Sequence, residues 1–122
     1  MARIVFTGLE RRVQTDLGRV LGAEGHQVCG WDENDLKSAD AVFCNGDCPA
    51  YRSVMCRIRD LRPDVPIVVV TRLPESEKWL DALEAGADDY CSAPFEPLHV
   101  RWILSAVLSR NASRTASSRA TS

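Results

Sequence analysis

Continuous apolar runs alternate with helical patterns along the first 108 residues of the chain. Three runs, Ile4–Phe6, Ala41–Cys44 and Ile67–Val70, are apolar throughout, which predicts strands that are buried on both faces. Two shorter segments, Gln27–Gly30 and Asp89–Cys91, complete a set of five strands. Between these runs the apolar residues recur at spacings of three and four, which predicts amphipathic helices. Strands and helices that alternate in this way predict a parallel sheet with helices on both faces.

Glycine and proline mark the boundaries of the predicted helices. The first helix stops at Gly22, the third stops before Pro63, and the fourth spans about 75–85 and stops at Gly86. The last helix has Pro97 in its first turn. The apolar stripes expected to face the sheet are Val13, Leu17, Val20 and Leu21 in the first helix, Val54, Ile58 and Leu61 in the third, and Val100, Ile103, Leu104 and Val107 in the last.

The segment between the second and third strands is too short for a full helix. Only twelve residues separate Val28 from Ala41, and several of them are polar. We therefore predict that the second helix is reduced to a turn or two around Asp35–Ser38, or is lost. The whole pattern predicts a flavodoxin-like, doubly wound α/β domain at residues 1–108, with five parallel strands in the order 2-1-3-4-5.

Length and composition agree with a single intracellular domain. At 122 residues, of which 45% are apolar, the chain has room for one domain with its own core. No apolar run approaches the length that spans a bilayer, and the N-terminus predicts a strand rather than a signal peptide. Five cysteines without framework spacing favour a reducing compartment over a disulfide scaffold. These features predict a cytoplasmic protein that does not bind a membrane.

The last fourteen residues differ in composition from the rest of the chain. Residues 109–122 contain three arginines, no acidic residue and almost no apolar residue, so we predict a Ser/Arg-rich disordered tail. The preceding 108 residues then carry 12 basic and 17 acidic side chains, although the whole chain has a formal charge of only −2. An acidic body argues against nucleic acid as a ligand, because nucleic-acid binding needs a basic face.

The segment from Gly86 to Phe95 carries the most specific motif of the chain, GADDYCSAPF. It resembles the last strand of CheY-like receiver domains, the phosphorylated domains of bacterial response regulators in two-component signalling. In that family GADDY is followed, two or three residues later, by Lys-Pro-Phe, and the lysine pairs with a phosphoryl group on an aspartate. Here Ala93 holds the lysine position and has no cationic group. The resemblance covers about residues 2–108.

The resemblance implies that three further positions of the phosphorylation pocket have also changed. A family member has two acidic residues after the first strand that hold a magnesium ion, but Gly8 and Leu9 lie there and offer no side-chain oxygen. The phospho-acceptor aspartate of the family ends the third strand four residues before a proline, where Asn45 lies. Thr71 and Tyr90 keep the two switch positions of the family.

Phosphoryl transfer depends on positioning and on the neutralisation of charge, and the groups that do both are replaced together here. The resemblance therefore implies a degenerate phospho-acceptor pocket. We interpret the chain as an atypical, stand-alone pseudo-receiver that acts through phosphorylation-independent protein–protein contact, with no enzymatic activity, metal or cofactor. The expected partner is a protein of a signalling system, or a second copy of this chain. The pocket positions are Gly8, Leu9, Asn45, Thr71 and Ala93.

A surface for that contact is expected on the side of the fourth helix, the fifth strand and the last helix, because receivers commonly use this side. Trp102 lies about 160° from the centre of the core stripe of the last helix, so we expect it to face solvent or a partner. Tryptophan is also enriched at binding hot spots. The predicted interaction face comprises Trp79, Tyr90, His99 and Trp102.

Two alternatives remain open. Cys44, Cys48 and Cys91 are expected near the carboxyl ends of neighbouring strands, where thiols could bind a soft metal or form a redox pair. A conventional phospho-accepting receiver with a rearranged pocket could instead use Glu10 or Asp47 for the lost carboxylates. Other enzyme classes find no support, since the sequence has no GxGxxG turn, GxSxG elbow or HExxH helix.

Overall fold

Strands and helices alternate along the chain, as predicted. The computed structural model describes residues 2–47, 50–72, 83–84, 86–92 and 95–121, with side chains as far as Ser109 apart from Glu33. The strands are β1 (Arg3–Thr7), β2 (Gln27–Cys29), β3 (Ala41–Asn45), β4 (Ile67–Thr71) and β5 (Asp89–Ser92). The helices are α1 (Arg11–Ala23), α2 (Glu33–Lys37), α3 (Tyr51–Leu61) and the C-terminal helix α4 (Pro97–Thr121). Most of the predicted helix at 75–85 lies outside the described residues.

The five strands form one parallel sheet in the order β2-β1-β3-β4-β5, which confirms the predicted flavodoxin-like topology. The three central strands are the longest and most apolar, and every residue of β4 is buried. Such strands stay in the middle because helices cover both faces of the sheet. The carboxyl ends of β1, β3 and β4 consequently lie side by side, where α/β domains bind ligands.

Two apolar clusters hold the helices against the sheet, one on each face. Alternate residues of a strand point to opposite faces, so Phe43 joins one cluster while its neighbour Val42 joins the other. Full burial of one large aliphatic side chain contributes about 1.5–3 kcal/mol, so the clusters are the main source of stability. The α1 and α4 side includes Leu17, Leu21, Ile103 and Leu104, and the α2 and α3 side includes Leu36, Met55 and Ile58.

The second helix is reduced to five residues, as predicted from the short connection. Asp32 caps its amino end by accepting a hydrogen bond from the Asn34 amide at 2.7 Å. Leu36 is fully buried and gives the short helix its anchor. The Arg62 guanidinium donates to the carbonyl oxygens of Leu36 and Lys37 at 2.7 and 2.8 Å, so α3 supplies partners for carbonyls that a longer helix would satisfy itself.

The predicted apolar stripe of α3 was partly wrong. Ile58 is buried, but Met55 is the second buried residue of the helix, and Val54 is only partly covered. Leu61 is 43% exposed, because it is the last residue of α3 and the chain then turns away. Val65, which lies beyond the helix and is fully buried, fills the core at this end instead.

The C-terminal helix extends through the segment for which the sequence predicts disorder. The core residues of α4 end at Val107, and the helix continues to Thr121. Residues 109–121 contain neither glycine nor proline, so nothing in the segment breaks a helix that the core has already started. No helix in the described part of the chain is both long and apolar enough to cross a membrane.

Asp88, within the GADDY motif, joins the amino ends of β4 and β5 to the end of α3. Its carboxylate accepts from the Ile67 amide at 2.9 Å and from the Arg59 guanidinium at 3.0 Å. The same guanidinium donates to the Gly86 carbonyl at 2.8 Å. The Asp88 side chain is 7% exposed, so this carboxylate is a structural connection at the edge opposite the predicted pocket.

Candidate functional site

A cleft opens at the carboxyl edge of the sheet, where the connections that follow β1, β3 and β4 meet. It lies at the position predicted for the degenerate pocket. Both polar and apolar side chains line it, and all five of the polar ones form a hydrogen bond or an ion pair between one connection and another. The lining residues are Leu9, Glu10, Val13, Asn45, Asp47, Val70, Thr71 and Arg72.

The two positions after β1 serve the backbone and the core. Gly8 has a φ of 71°, in the left-handed region that favours glycine, and it turns the chain out of the strand. Leu9 is 6% exposed and belongs to the apolar cluster beneath α1. Neither residue has a side-chain oxygen that could hold a metal ion in the cleft.

Asn45 ends β3 and holds two connections together through its amide. The Nδ2 group donates to the Gly8 carbonyl at 2.9 Å, and the Oδ1 atom accepts from the Asp47 amide at 2.9 Å. One bond needs a donor and the other an acceptor, and among acidic and amide side chains only the amide supplies both at neutral pH. The position is therefore built for asparagine and disfavours an ionised aspartate.

Gly46 brings the connection after β3 into close contact with β4. A Cβ atom at this residue would lie 2.4 Å from Val69 Cγ1, so no larger residue fits without displacement. The Gly46 amide also donates to the Val70 carbonyl at 2.7 Å. This close approach fixes the orientation of Asn45 on one side and Asp47 on the other.

Asp47 is the most connected side chain of the cleft. The Thr71 hydroxyl donates to its Oδ1 atom, and the Arg72 amide donates to its Oδ2 atom at 2.9 Å. The Arg72 Nε atom lies 4.0 Å from the same oxygen. Thr71 itself is 1% exposed, so its hydroxyl meets the carboxylate in a buried setting. Asp47 therefore joins the end of β3 to the end of β4.

Arg72 also contacts Glu10 across the mouth of the cleft. One guanidinium nitrogen of Arg72 lies 3.2 Å from Glu10 Oε2, and both side chains are more than half exposed. An ion pair that faces solvent contributes little to stability, about 0–1 kcal/mol. The ion pair affects the charge of the cleft instead, because the carboxylates of Glu10 and Asp47 together partly neutralise the positive charge of Arg72.

The described residues do not fit a magnesium ion. Magnesium requires oxygen ligands in near-octahedral geometry, with one or two carboxylates from the protein. Glu10 is engaged by Arg72, and both oxygens of Asp47 accept hydrogen bonds from β4 and the residue after it. Among the residues that the structure describes, no group of three histidine, cysteine or acidic side chains is placed to bind a metal.

Sequence reasoning missed the central role of Asp47 and the close contact of Gly46. A usable signal was present, because glycine between two polar residues directly after a buried strand indicates a tight connection. Ala93, at the predicted lysine position, lies outside the described residues, so the fifth pocket position has no described contacts.

The cysteines do not converge on the cleft where they are described. Cys44 and Cys91 are both buried, but they belong to clusters on opposite faces of the sheet. Burial, with a smaller contribution from the negative charge of Asp89, raises the pKa of the Cys91 thiol to about 12, which keeps it protonated. A redox pair of these two thiols is therefore excluded by their positions. Cys48, the third candidate, lies outside the described residues.

The predicted interaction face is partly described. Trp102 is 68% exposed on α4, as its helical spacing predicted, and Leu98 one turn earlier is 74% exposed. His99 is exposed, whereas Tyr90 is half-buried against the cluster on the α3 side. Trp79 lies outside the described residues. Among the residues of this face that the structure describes, the exposed apolar side chains therefore lie on α4.

Curated relatives of the chain are response regulators, and two of the three are named as transcriptional regulatory proteins. PetR of Rhodobacter capsulatus is 43% identical over 54 residues, which make up 43% of this chain and 23% of PetR. The phosphate regulon regulatory protein PhoB of Pseudomonas aeruginosa is 41% identical over 51 residues, or 42% of this chain and 22% of PhoB. The regulatory protein PhoP of Escherichia coli O157:H7 is 32% identical over 99 residues, or 71% of this chain and 43% of PhoP. The chain thus spans less than half the length of these relatives.

Solved structures with the same fold include receiver domains of response regulators. NtrX of Brucella abortus superposes with a TM-score of 0.85 at 18% identity, over 97% of this chain and 28% of NtrX. A response regulator receiver domain protein of Clostridium thermocellum has a TM-score of 0.76 at 16% identity, over 92% of this chain and 98% of its own. A CheY-like receiver domain protein of Methanospirillum hungatei has a TM-score of 0.75 at 18% identity, over 93% and 98%. No protein-family model matches the chain. With the sheet order, the GADDY motif and these relatives in agreement, the chain is a CheY-like receiver domain of the response-regulator family.

Proposed function

We propose that this receiver domain acts in two-component signalling through protein–protein contact and without phosphorylation. The observation that carries the proposal is the amide of Asn45 at the acceptor position, hydrogen-bonded to Gly8 on one side and Asp47 on the other. A carboxamide is a far poorer nucleophile than a carboxylate. Its hydrogen bonds also hold it within the protein, so it does not point an oxygen at an incoming phosphoryl group.

The charges of the cleft support the same proposal. Glu10 and Asp47 contribute two negative charges near the mouth, against one positive charge from Arg72. A phosphoryl group carries nearly two negative charges and needs a metal ion or cations around it. Here it would approach a site whose described groups carry a net negative charge. Asp47 could act as acceptor only by giving up its hydrogen bonds to Thr71 and Arg72.

The exposed apolar side chains of α4 support contact with another protein. Leu98 and Trp102 lie one helical turn apart and are both more than two-thirds exposed. A tryptophan in such a position leaves a large apolar area in water, and tryptophan is among the residues that dominate binding energy at interfaces. We expect the partner to be a protein of the same signalling system or a second copy of the chain, and not a nucleic acid.

An NMR titration of the wild-type chain, first with magnesium and then with beryllofluoride under reducing conditions, tests phosphate independence. Beryllofluoride mimics the phosphoryl group, so a conventional receiver shows saturable shifts around its pocket. We expect the amides of Asn45, Thr71 and Tyr90 to remain unshifted. Saturable shifts at these residues would contradict the proposal.

The contact surface is tested by Trp102→Ala, compared with Leu61→Ala as a matched control. Leu61 is 43% exposed on α3, which packs on the other face of the sheet. We expect Trp102→Ala to weaken self-association or partner binding about tenfold or more, as loss of an interface tryptophan commonly does, while Leu61→Ala leaves it unchanged. Light scattering and calorimetry with purified components measure both. Equal behaviour of the two variants would remove α4 from the contact surface.

A further inference from the structure

Three hydrogen-bond donors converge on the carboxylate of Asp47. They are the Thr71 hydroxyl, the Arg72 amide at 2.9 Å and, at longer range, the Arg72 guanidinium at 4.0 Å. A hydroxyl, a backbone N–H and a guanidinium are the groups with which proteins bind small oxyanions. The protein fills this set of donors with its own side chain.

The backbone around Asp47 holds the carboxylate in this position. The Asp47 amide is bonded to Asn45, and the preceding Gly46 is bonded to Val70 at 2.7 Å and packed too closely against Val69 for any side chain. Three contacts of Gly46 and of the Asp47 amide therefore hold the backbone that carries the carboxylate. A ligand that is already held in its bound position competes strongly against one that must come from solution.

We propose that Asp47 is an internal ligand that closes the cleft to external oxyanions and holds Thr71 and Arg72 in one arrangement. This inference rests on the proposed function, because it explains what keeps a phosphate-independent receiver in a single state. The excluded ligands are small tetrahedral oxyanions, with inorganic phosphate and sulfate as representatives. Removal of the carboxylate would leave the converging donors available to such an anion.

The test compares inorganic phosphate binding by the wild type, Asp47→Ala and Glu10→Gln, with chloride at matched ionic strength as the reference. NMR shifts of the Thr71 and Arg72 amides report binding. Glu10→Gln is the control, because it removes one negative charge from the same cleft without vacating the donors. We expect saturable shifts only in Asp47→Ala, with an affinity at least about tenfold above that of the other two proteins. Sulfate should bind the same variant, and Thr71→Val in that background should weaken both anions.

Two results would overturn the inference. One is a folded Asp47→Ala protein whose amides show no saturable shift. The other is an equal gain in Glu10→Gln, which would attribute binding to net charge alone. Amide shifts of Leu17 and Ile103, in the core far from the cleft, establish whether Asp47→Ala is folded.

If Asp47→Ala does not fold, Asp47→Asn provides a second measurement. It should speed hydrogen exchange of the Arg72 amide about tenfold or more relative to Glu10→Gln, and an unchanged rate would contradict the inference. Beryllofluoride binding by the wild type would instead contradict the proposed function, so the two failures are distinguishable.

Discussion

At each end of β4 a carboxylate accepts hydrogen bonds from a backbone amide and from a side-chain donor, and the two arrangements can be compared directly. At the amino end Asp88 accepts from Ile67 and from Arg59, and its side chain is 7% exposed. At the carboxyl end Asp47 accepts from Arg72 and from Thr71, and its side chain is 21% exposed. The local chemistry is the same, but the access to solvent differs threefold.

The cations beside the two carboxylates explain why one end is structural and the other is a candidate site. Arg59 is 25% exposed and is also bonded to backbone carbonyls, so its geometry is fixed by the fold. Arg72 is 57% exposed and divides its charge between Asp47 and Glu10 at the mouth of a cleft. The amino end of β4 is therefore held by contacts that are mostly buried, whereas the carboxyl end is held by contacts that solvent can reach.

Asp88→Ala should have the largest effect on stability of the changes considered. It leaves the Arg59 guanidinium and the Ile67 amide without their shared acceptor in a nearly buried setting. We expect the free energy of unfolding to fall by about 3 kcal/mol, measured by urea denaturation. Asp64→Ala is the control, since Asp64 is 64% exposed and lies 3.7 Å from Arg62, and it should cost less than about 0.5 kcal/mol. Similar losses in the two variants would remove the distinction between the ends of β4.

Asn45→Asp should have an intermediate effect, at the accessible end. The new carboxylate cannot donate to the Gly8 carbonyl and instead places two acceptors about 3 Å apart. We expect a loss of about 1–2 kcal/mol in the free energy of unfolding. Asn34→Asp, at an exposed position on α2, controls for the added charge and should change stability by no more than about 0.5 kcal/mol.

The same Asn45→Asp variant also tests the chemistry of the pocket. With the neighbouring residues unchanged, we expect no phosphorylated product after incubation with acetyl phosphate and magnesium, measured by intact-protein mass spectrometry. A phosphorylated product would mean that Asn45 is the single obstacle to phosphorylation, contrary to the argument that the charges of the cleft also oppose it. If the variant were more stable than the wild type, the hydrogen bonds of the Asn45 amide would not be the reason that this position favours asparagine.

The sequence predicted those parts of the fold that depend on apolar periodicity. Val68, Val69 and Val70 form a run that is buried on both faces in any parallel sheet, and the short span before Ala41 left no room for a long second helix. It could not predict contacts that arise when separate connections meet. Gly46 is required because Val69 approaches it from another strand, and the segment around Gly46 indicates a tight connection but not its distance from β4.

The residues of the candidate site also divide into those that the sequence predicted and those that it did not. Gly8, Leu9 and Asn45 were identified from the resemblance to receiver domains, and Trp102 by its position on a helical wheel. The role of Asp47 depends on the direction in which the chain leaves β3, which the pattern does not encode. Leu61 shows a similar limit for helices. Helical spacing places it on the apolar stripe of α3, but it is the last residue of that helix, and its side chain is exposed because the chain turns away there.

A third carboxylate, Glu24, extends the comparison to a side chain that is 26% exposed, and it should show the smallest effect. Glu24, just after α1, accepts from the Arg101 guanidinium of α4 at 2.7 Å, and this hydrogen bond lowers the pKa of the Glu24 carboxyl. A lowered pKa in the folded state means that the contribution to stability is present above the pKa of the unfolded state and is lost as the pH falls through the folded value.

Arg101→Gln should therefore raise the pKa of Glu24 toward its ordinary value while leaving stability at neutral pH almost unchanged, since the Arg101 side chain is 58% exposed and solvent screens the pair. Carboxyl NMR titration measures the pKa, and urea denaturation at pH 7 and in the acid range measures the stability. Arg57→Gln, on the opposite face of the sheet, should leave the Glu24 titration unchanged. If Arg101→Gln instead destabilised the protein as much as Asp88→Ala, exposure would not be what ranks these three carboxylates, and the contrast between the buried and the accessible end of β4 would lose its basis.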